Sequence, residues 1–319
     1  MGCLSAYNTF FYVSRMHHPM DSDKAFEEIR TLIAQGRNGE AVESTRTLAM
    51  EATDPLVRIK CLSLLKVVGD VDVSKEVVAA IASEPPEDPQ IRIQVAGALR
   101  GLDFAATAYG LLRTMDQDDT VRRLSCMCLE DMEEFEMALE ALESITSLTP
   151  FDRVMLTEVN SALGNHSEAV RVSKKLLDEI PGDFDVRRSY VSALVLAGRD
   201  KDAVKFVRSC LKEKTAESNA LAAYVMRILG NTKAAAGYAT RAINMDHRNV
   251  SAMETLGICL AEKGEYDKAR IVAGAINEAS PGSRAALNVL SYCEGHRSPV
   301  RDVRPFRTRF CGPCAWHGC

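Results

Sequence analysis

Residues 260–270 read LAEKGEYDKAR, and the pattern of this stretch recurs along the whole chain. Gly264 ends an apolar helix-forming run, a polar turn follows, and Ala269 lies five residues later. The same spacing occurs at seven earlier positions. The turn residues there are Gly36, Gly69, Gly101, Glu133, Gly164, Gly198 and Gly230, followed by Ala41, Ser74, Ala106, Ala138, Ala169, Ala203 and Ala235. An internal period of 31–34 residues is typical of helical-repeat proteins.

Each period predicts two helices joined by a tight turn. Glycine supplies the left-handed conformation that ends the first helix, and the small residue lets the second helix approach the first. We therefore predict an all-α fold, an α-solenoid of about eight antiparallel helical hairpins with a C-terminal capping helix in SRAALNVLSYCEGH. The predicted hairpins are 22–54, 55–86, 87–118, 119–150, 151–183, 184–215, 216–249 and 250–283.

The last unit, VSAMETLGICLAEKGEYDKARIVAGAINEASPGS at 250–283, resembles a tetratricopeptide repeat (TPR). The signature positions of that family hold Leu256, Gly257, Gly264, Tyr266, Ala269 and Pro281, with Met253 in place of the usual tryptophan. The N-terminal units are more similar to HEAT-type repeats, with the pairs Asp54/Arg58, Asp88/Arg92 and Asp118/Arg122, and Asp183/Arg187 later. We expect each Asp to cap a helix and each Arg, one turn inside, to form a ladder between stacked units.

Composition divides the chain into four segments. They are an unstructured leader at 1–20, HEAT/TPR-like repeats at 21–149, TPR-like repeats with the capping helix at 150–297, and a basic Cys/His-containing tail at 298–319. The apolar runs are all shorter than the roughly 20 residues of a spanning helix, so we predict no membrane span. Scattered cysteines in helical patterns favour a reducing compartment, and we predict the cytoplasm.

The charge is distributed unevenly. The whole chain has a net charge of −5, whereas residues 21–296 contain 33 basic and 43 acidic residues, a net charge of −10. An acidic body argues against a nucleic-acid-binding surface, so nucleic acid is not a predicted partner of this region. Five Arg lie between 297 and 309, at and just after the start of the tail. We interpret this basic segment as a solvated extension, and the alternative is an arm that binds an acidic surface.

The inner face of the repeat array is the predicted partner-binding groove. In arrays of this kind the first helix of each pair lines the concave groove, and exposed Tyr and Arg most often anchor a partner. The unit register places seven residues there: Arg188, Ser192, Tyr224, Arg227, Glu254, Asn288 and Tyr292. We expect this groove to bind a protein or peptide segment. The aligned positions lack the Lys/Asn clamp by which some tetratricopeptide domains bind a C-terminal carboxylate.

The chain ends in CGPCAWHGC, whose Cys-Gly-Pro-Cys resembles the active-site loop of thioredoxins. Thioredoxin chemistry needs a strand-to-helix turn, and no βαβ pattern precedes this segment, so we reject a redox enzyme. Cys311, Cys314, His317 and Cys319 are a donor set that suits tetrahedral zinc. Structural zinc sites normally use two separated ligand pairs, and this cluster is one tight run. We therefore expect no cofactor, with zinc at the tail as the alternative.

The sequence contains no pattern typical of catalysis. Its six histidines are not paired with a nucleophile, and no glycine-rich phosphate loop follows a strand. The hypothesis is a non-catalytic scaffold or adaptor. Two alternatives remain: a metal- or redox-responsive regulator with the tail as sensor, and a lyase-type enzyme on HEAT-like repeats, which lacks an acid–base pair in the groove.

Overall fold

Every regular element in the computed structural model, which describes residues 20–280 and 283–294, is helical. In these residues, antiparallel hairpins follow one another and a last helix closes the series. The helices are α1 Met20–Ala34, α2 Asn38–Glu51, α3 Pro55–Val68, α4 Val71–Ser83, α5 Pro89–Gly101, α6 Ala105–Leu112, α7 Asp119–Asp131, α8 Phe135–Glu143, α9 Pro150–Ala162, α10 His166–Glu179, α11 Phe184–Leu196, α12 Asp200–Cys210, α13 Ala216–Ile228, α14 Thr232–Met245, α15 Val250–Glu262, α16 Tyr266–Ala279 and α17 Arg284–Cys293. The predicted all-α helical-repeat fold is confirmed.

Contacts divide the chain into two units, each with its own core. The N-terminal unit ends at Asp152, inside α9, and the C-terminal unit begins at Arg153. In the C-terminal unit, α11, α12 and α13 share a core that includes Leu194 and Leu221. Pro281 of the tetratricopeptide pattern, the leader up to residue 19 and the whole Cys/His tail lie outside the described residues.

The predicted turn residues adopt a left-handed backbone in seven of the eight hairpins. Six of them are glycines, and Glu133 adopts the same conformation with a φ of 64°. The third hairpin differs, because Gly101 is the last residue of α5 and Asp103, two residues later, has the positive φ, at 68°. Aspartate tolerates this conformation better than most residues. The prediction that Gly101 forms this turn was wrong.

The small residue five positions after each left-handed residue is buried. Ala41, Ala138, Ala169, Ala203, Ala235 and Ala269 have no exposed surface, and Ser74 retains 5%. In the third hairpin the predicted Ala106 is exposed. Ala108, five residues after Asp103, is fully buried instead. The spacing between turn and contact is therefore constant, and the error at Ala106 follows from the error at Gly101.

All four aspartates of the Asp/Arg motif cap a helix, as predicted. Each carboxylate accepts a backbone N–H of the first turn: Asp54 that of Leu56 at 2.8 Å, Asp88 those of Gln90 at 2.7 Å and Ile91 at 3.2 Å, Asp118 those of Thr120 and Val121 at 2.8 Å, and Asp183 that of Val186 at 2.9 Å. These bonds satisfy N–H groups that have no partner inside the helix, and they explain why α3, α5, α7 and α11 begin where they do.

Three of the four arginines link consecutive hairpins through the backbone. Each Nε donates to a carbonyl six residues earlier, at the end of the preceding hairpin: Arg58 to Ala52 at 3.0 Å, Arg92 to Pro86 at 2.7 Å and Arg187 to Pro181 at 2.6 Å. Arg58 and Arg187 also form ion pairs with Glu84 and Glu213, beyond the second helix of their own hairpin, at 2.9 and 2.7 Å. Arg122 instead lies 3.6 Å from Asp119 of its own helix.

Loss of one cap should weaken the N-terminal unit measurably. We expect Asp88→Ala to lower the free energy of unfolding by about 1 kcal/mol, the usual contribution of an N-cap side chain. The adjacent exposed residue gives a matched control, and Glu87→Ala should change the stability by less than about 0.5 kcal/mol. Urea denaturation followed by circular dichroism measures both. Equal effects of the two substitutions would contradict a capping role for Asp88.

Candidate partner-binding face

The first helices of the C-terminal hairpins lie side by side. Within this unit α11 contacts α13, α13 contacts α15, and α15 contacts α17. We call this row of four helices the first-helix face. All seven predicted groove residues lie on these helices: Arg188 and Ser192 on α11, Tyr224 and Arg227 on α13, Glu254 on α15, and Asn288 and Tyr292 on α17.

Small residues let the first helices approach closely. Ala220 of α13 packs with Ala252 of α15 in one fully buried cluster. Between α15 and α17 the approach is closer still, because a Cβ on Gly257 would lie 2.7 and 2.8 Å from the two methyl groups of Val289. Real Cβ atoms do not show such distances, so α15 and α17 can pack in this way only with glycine at this position.

Two hydrogen bonds connect polar side chains of neighbouring first helices. The Ser192 Oγ and the Tyr224 hydroxyl lie 2.6 Å apart, joining α11 to α13. The Asn288 Nδ2 donates to the Glu254 Oε1 at 2.7 Å, joining α17 to α15. Six of the seven predicted groove residues belong to this polar row or carry a charge that acts on it, since the charges of Arg188 and Arg227 act on both Tyr224 and Glu254.

The centre of the first-helix face is buried. Tyr224 is 2% exposed, Glu254 7% and Arg227 9%. The repeat register predicts exposed Tyr and Arg side chains here, and this prediction is wrong for Tyr224 and Arg227. The close helix approach explains the difference, because side chains on helices this near each other meet their neighbours before they reach solvent. Arg188, Ser192 and Asn288 are only half-buried and form the accessible edge of the row.

The two arginines are held by acidic residues that the sequence analysis did not identify. Arg188 lies 3.1 Å from Asp185, three residues earlier on α11, and above the ring of Phe184. Arg227 lies 3.6 Å from Glu262 at the end of α15. The spacing of Asp185 and Arg188 by three residues is a sequence signal for such a pair. The pairing with Glu262 has no local signal, because it depends on how α13 and α15 pack.

Tyr292 is the one predicted groove residue that the structure places apart from the polar row. Its side chain is half-buried and packs against the apolar cluster that α15, α16 and α17 form around Ile258 and Ala273. It lies near the end of α17, about one turn beyond Asn288. Its packing position gives it a part in the core of the last hairpin.

Burial also changes the acid–base properties of this face. Burial raises the pKa of Glu254, while the hydrogen bond from Asn288 and the charges of Arg188 and Arg227 act in the opposite direction. Burial likewise raises the pKa of Tyr224, against the hydrogen bond with Ser192. The charged forms of Glu254 and Tyr224 are therefore costly on this face, and a hydrogen bond to a neighbouring helix holds each of these side chains.

Glu254 should make the stability of the C-terminal unit depend on pH. Because its pKa is higher in the folded than in the unfolded state, its contribution is present below the unfolded pKa and is lost as pH rises through the folded pKa. We expect Glu254→Gln to stabilise the unit at pH 7 by about 1 kcal/mol, and this gain to shrink toward pH 4.

Urea denaturation of both proteins between pH 4 and 8 measures the difference. The exposed Glu278 of the same unit provides the control, and Glu278→Gln should change the stability by less than about 0.5 kcal/mol. A Glu254→Gln protein that is less stable than the parent at every pH would show that the carboxylate stabilises the folded state in its charged form.

Comparisons with known proteins were made against families, sequences and structures. No protein-family model matches the sequence. No curated protein sequence matches it. Among solved structures, the chain is similar to a tetratricopeptide repeat protein from Parabacteroides merdae, with 15% identity over 76% of this chain and 100% of that chain and a TM-score of 0.47.

Two further solved structures show the same kind of likeness. The P58(IPK) TPR domain has 14% identity over 86% of this chain and 98% of that chain, with a TM-score of 0.29. YrrB, described as a TPR protein with an unusual peptide-binding site, has 14% identity over 67% of this chain and 97% of that chain, with a TM-score of 0.32. All three are tetratricopeptide structures, the family that residues 250–283 resemble in sequence. At these identities the likeness concerns the fold alone.

Proposed function

We propose that this chain is a non-catalytic scaffold or adaptor that binds a protein or peptide segment on the first-helix face of its C-terminal unit. The observation that carries the proposal is the accessible edge of the polar row. Arg188, Ser192 and Asn288 are half-buried on α11 and α17, and each is joined to a neighbouring side chain. Their side chains present hydrogen-bonding groups to a partner beside the buried centre of the first-helix face.

Fixed side chains favour binding because they lose little conformational freedom when a partner arrives. Arg188 is held between Asp185 and the ring of Phe184, and its side chain is 12% exposed. Arginine and tyrosine are over-represented among the residues that dominate binding energy, especially next to well-packed surroundings. An extended segment lying across the row from α11 to α17 would meet such groups at both ends of the row.

The proposed compartment is the cytoplasm. The cysteines of the described residues are free thiols, and burial raises the pKa of Cys61, Cys128 and Cys259 to about 12. Thiols of this kind pack as small apolar groups and react slowly. Free thiols at all six described cysteines suit a reducing compartment. Separately, the helices that the structure describes include none with the length and apolar character needed to cross a bilayer.

Capture of partners by the immobilised full chain, followed by affinity measurement, tests the proposal. We expect Arg188→Glu to weaken binding of a captured partner at least about tenfold, because it places a negative charge on the edge of the row. Arg171→Glu on the exposed side of α10 is the matched control and should leave affinity within about twofold. Binding that survives Arg188→Glu and is lost in Cys311→Ser/Cys314→Ser would favour the sensor alternative.

We also propose that the chain holds no resident metal. No group of three His, Cys, Asp or Glu side chains in the described part of the chain is arranged to hold one. In the tail, the four candidate ligands lie within nine residues that include two glycines and a proline, a composition for which fixing the backbone costs much conformational entropy. Elemental analysis of the full chain, purified without added zinc, should find well below one zinc or iron per chain. A stoichiometric metal that Cys311→Ser/Cys314→Ser removes would contradict this proposal.

A further inference from the structure

Many exposed charges in the described residues are paired within their own helix. Arginines and lysines pair with carboxylates three or four residues away in many helices, as in Arg37–Glu40, Arg171–Glu168, Lys174–Asp178, Lys268–Glu265 and Arg270–Asp267. Such pairs are the ordinary way in which a helical surface balances its charge. Two second helices, α8 in the N-terminal unit and α12 in the C-terminal unit, each carry a row of three like charges that forms no such pair, acidic on α8 and basic on α12.

The solvent side of α8 is a row of acidic residues. Glu136, Glu140 and Glu143 are exposed, lie four and three residues apart on one side of the helix, and form no ion pair with a described residue. Met137, 43% exposed, lies beside them. Like charges at this spacing repel each other. Glu143 is the last residue of α8, where the helix dipole also disfavours a carboxylate.

The solvent side of α12 has the same spacing with the opposite sign. Lys201, Lys205 and Arg208 are exposed, and within the described ranges none of them has an acidic partner. The half-buried Val204 lies beside them. Lys201 is in the first turn of α12, where the helix dipole disfavours a cation. Each of the two rows is therefore unfavourable alone, and each has the chemistry that would neutralise the other.

We propose that the acidic side of α8 in one copy of this chain binds the basic side of α12 in a second copy. With the two helices parallel, the intervals of four and three residues coincide, so Glu136 meets Lys201, Glu140 meets Lys205, and Glu143 meets Arg208. This surface is formed by second helices and is separate from the first-helix face of the proposed function.

The contact joins two different surfaces, so it is heterologous. A pair of chains joined in this way retains one free acidic and one free basic row, so further copies can add, either to a closed ring or to an open filament. One face of each of two short helices is smaller than a standard stable interface. Exposed ion pairs are weak and are screened by salt. The association should therefore be reversible, dependent on concentration and abolished by high ionic strength.

Sedimentation velocity of the full chain at increasing concentration is the first test. At about 20 mM NaCl we expect the weight-average mass to rise with concentration above that of one chain, and at about 500 mM NaCl to stay at one chain. A chain that remains monomeric at low salt up to millimolar concentration would overturn the proposal. So would an association that high salt does not weaken.

Charge reversal of each row provides the second test. One variant carries Glu136→Lys, Glu140→Lys and Glu143→Lys, so that both rows are basic. The other carries Lys201→Glu, Lys205→Glu and Arg208→Glu, so that both rows are acidic. Each variant alone should be monomeric at low salt, and an equimolar mixture of the two should associate, with affinity at least about tenfold above that of either variant for itself.

A matched control distinguishes the effect of the charged rows on self-association from the effect of a changed net charge. Asp23, Glu43 and Glu51 are exposed acidic residues that form no row, and their replacement by Lys changes the net charge as much as the α8 variant. This control should still self-associate, and circular dichroism checks that every variant is folded. Two outcomes would overturn the proposal: no complex in the mixture, or self-association that survives reversal of α12 alone, since another basic segment would then be binding α8.

Discussion

Replacing Arg123 with Met should lower the free energy of unfolding of the N-terminal unit by about 3 kcal/mol. Asp152 is fully buried, and both of its oxygens lie 2.9 Å from the Arg123 Nε. Removal of one partner of a buried ion pair typically costs about 3–5 kcal/mol, because the other charge is left without compensation. We expect the lower end, since the Thr149 backbone N–H still donates to Asp152 at 2.7 Å and Arg123 itself is 27% exposed.

The double variant Arg123→Met/Asp152→Asn identifies the cause. It removes the buried charge together with its partner, and should recover more than half of the loss. Arg171→Met, which breaks an exposed pair on α10, should cost less than about 0.5 kcal/mol. Urea denaturation measures all three, and hydrogen exchange of the α7 amides locates the effect. Equal stability of the single and double variants would rule out the uncompensated charge as the cause.

Gly257→Ala should destabilise the C-terminal unit by about 2 kcal/mol. The added Cβ would lie 2.7 and 2.8 Å from the two methyl groups of Val289, which has no exposed surface. Valine in a helix has one strongly preferred rotamer, so a rotation that frees one methyl group moves the other toward its neighbours. The helices α15 and α17 must then separate, and overpacking of this kind costs about 1–3 kcal/mol.

The same substitution in the next helix has the opposite expected sign. A Cβ on Gly274 of α16 would meet no atom within 4 Å, so Gly274→Ala should stabilise the unit by about 0.5–1 kcal/mol through helix propensity. In the double variant Gly257→Ala/Val289→Ala the loss from Gly257 should largely disappear. A double-mutant cycle by urea denaturation measures the coupling, and simple additivity would contradict a direct contact between Gly257 and Val289.

Local features of the fold could be predicted from the sequence, whereas distances between helices could not. The caps at Asp54 and Asp88 depend on a few neighbouring residues and were predicted correctly. The third turn was placed at Gly101 because glycine is the usual residue there, and the actual left-handed residue is Asp103. The burial of Tyr224 was not predicted, because register shows which side of a helix a residue occupies but not how near the next helix lies.

For the candidate binding residues, too, the position on a helix could be predicted from the sequence, whereas the contacts between helices could not. Register brought Arg188, Ser192, Tyr224 and Glu254 to adjoining helices, as the structure shows. Asn288 was predicted with them, but its hydrogen bond to Glu254 and the ion pair of Arg227 with Glu262 depend on the small residues that let α13, α15 and α17 approach. A sequence signal for that approach exists in Gly257, which was noted as part of a repeat signature and not as a point of close packing.

The arginines that join consecutive hairpins bear on how such a chain can diverge during evolution. Arg58, Arg92 and Arg187 donate to main-chain oxygens of Ala52, Pro86 and Pro181, and every amino acid supplies that oxygen. A hydrogen bond of this kind requires a particular residue, the arginine, in only one of the two hairpins that it joins. Duplication or exchange of a hairpin would preserve the link wherever the incoming arginine and the local backbone path are kept. Units with little sequence in common can therefore remain compatible neighbours.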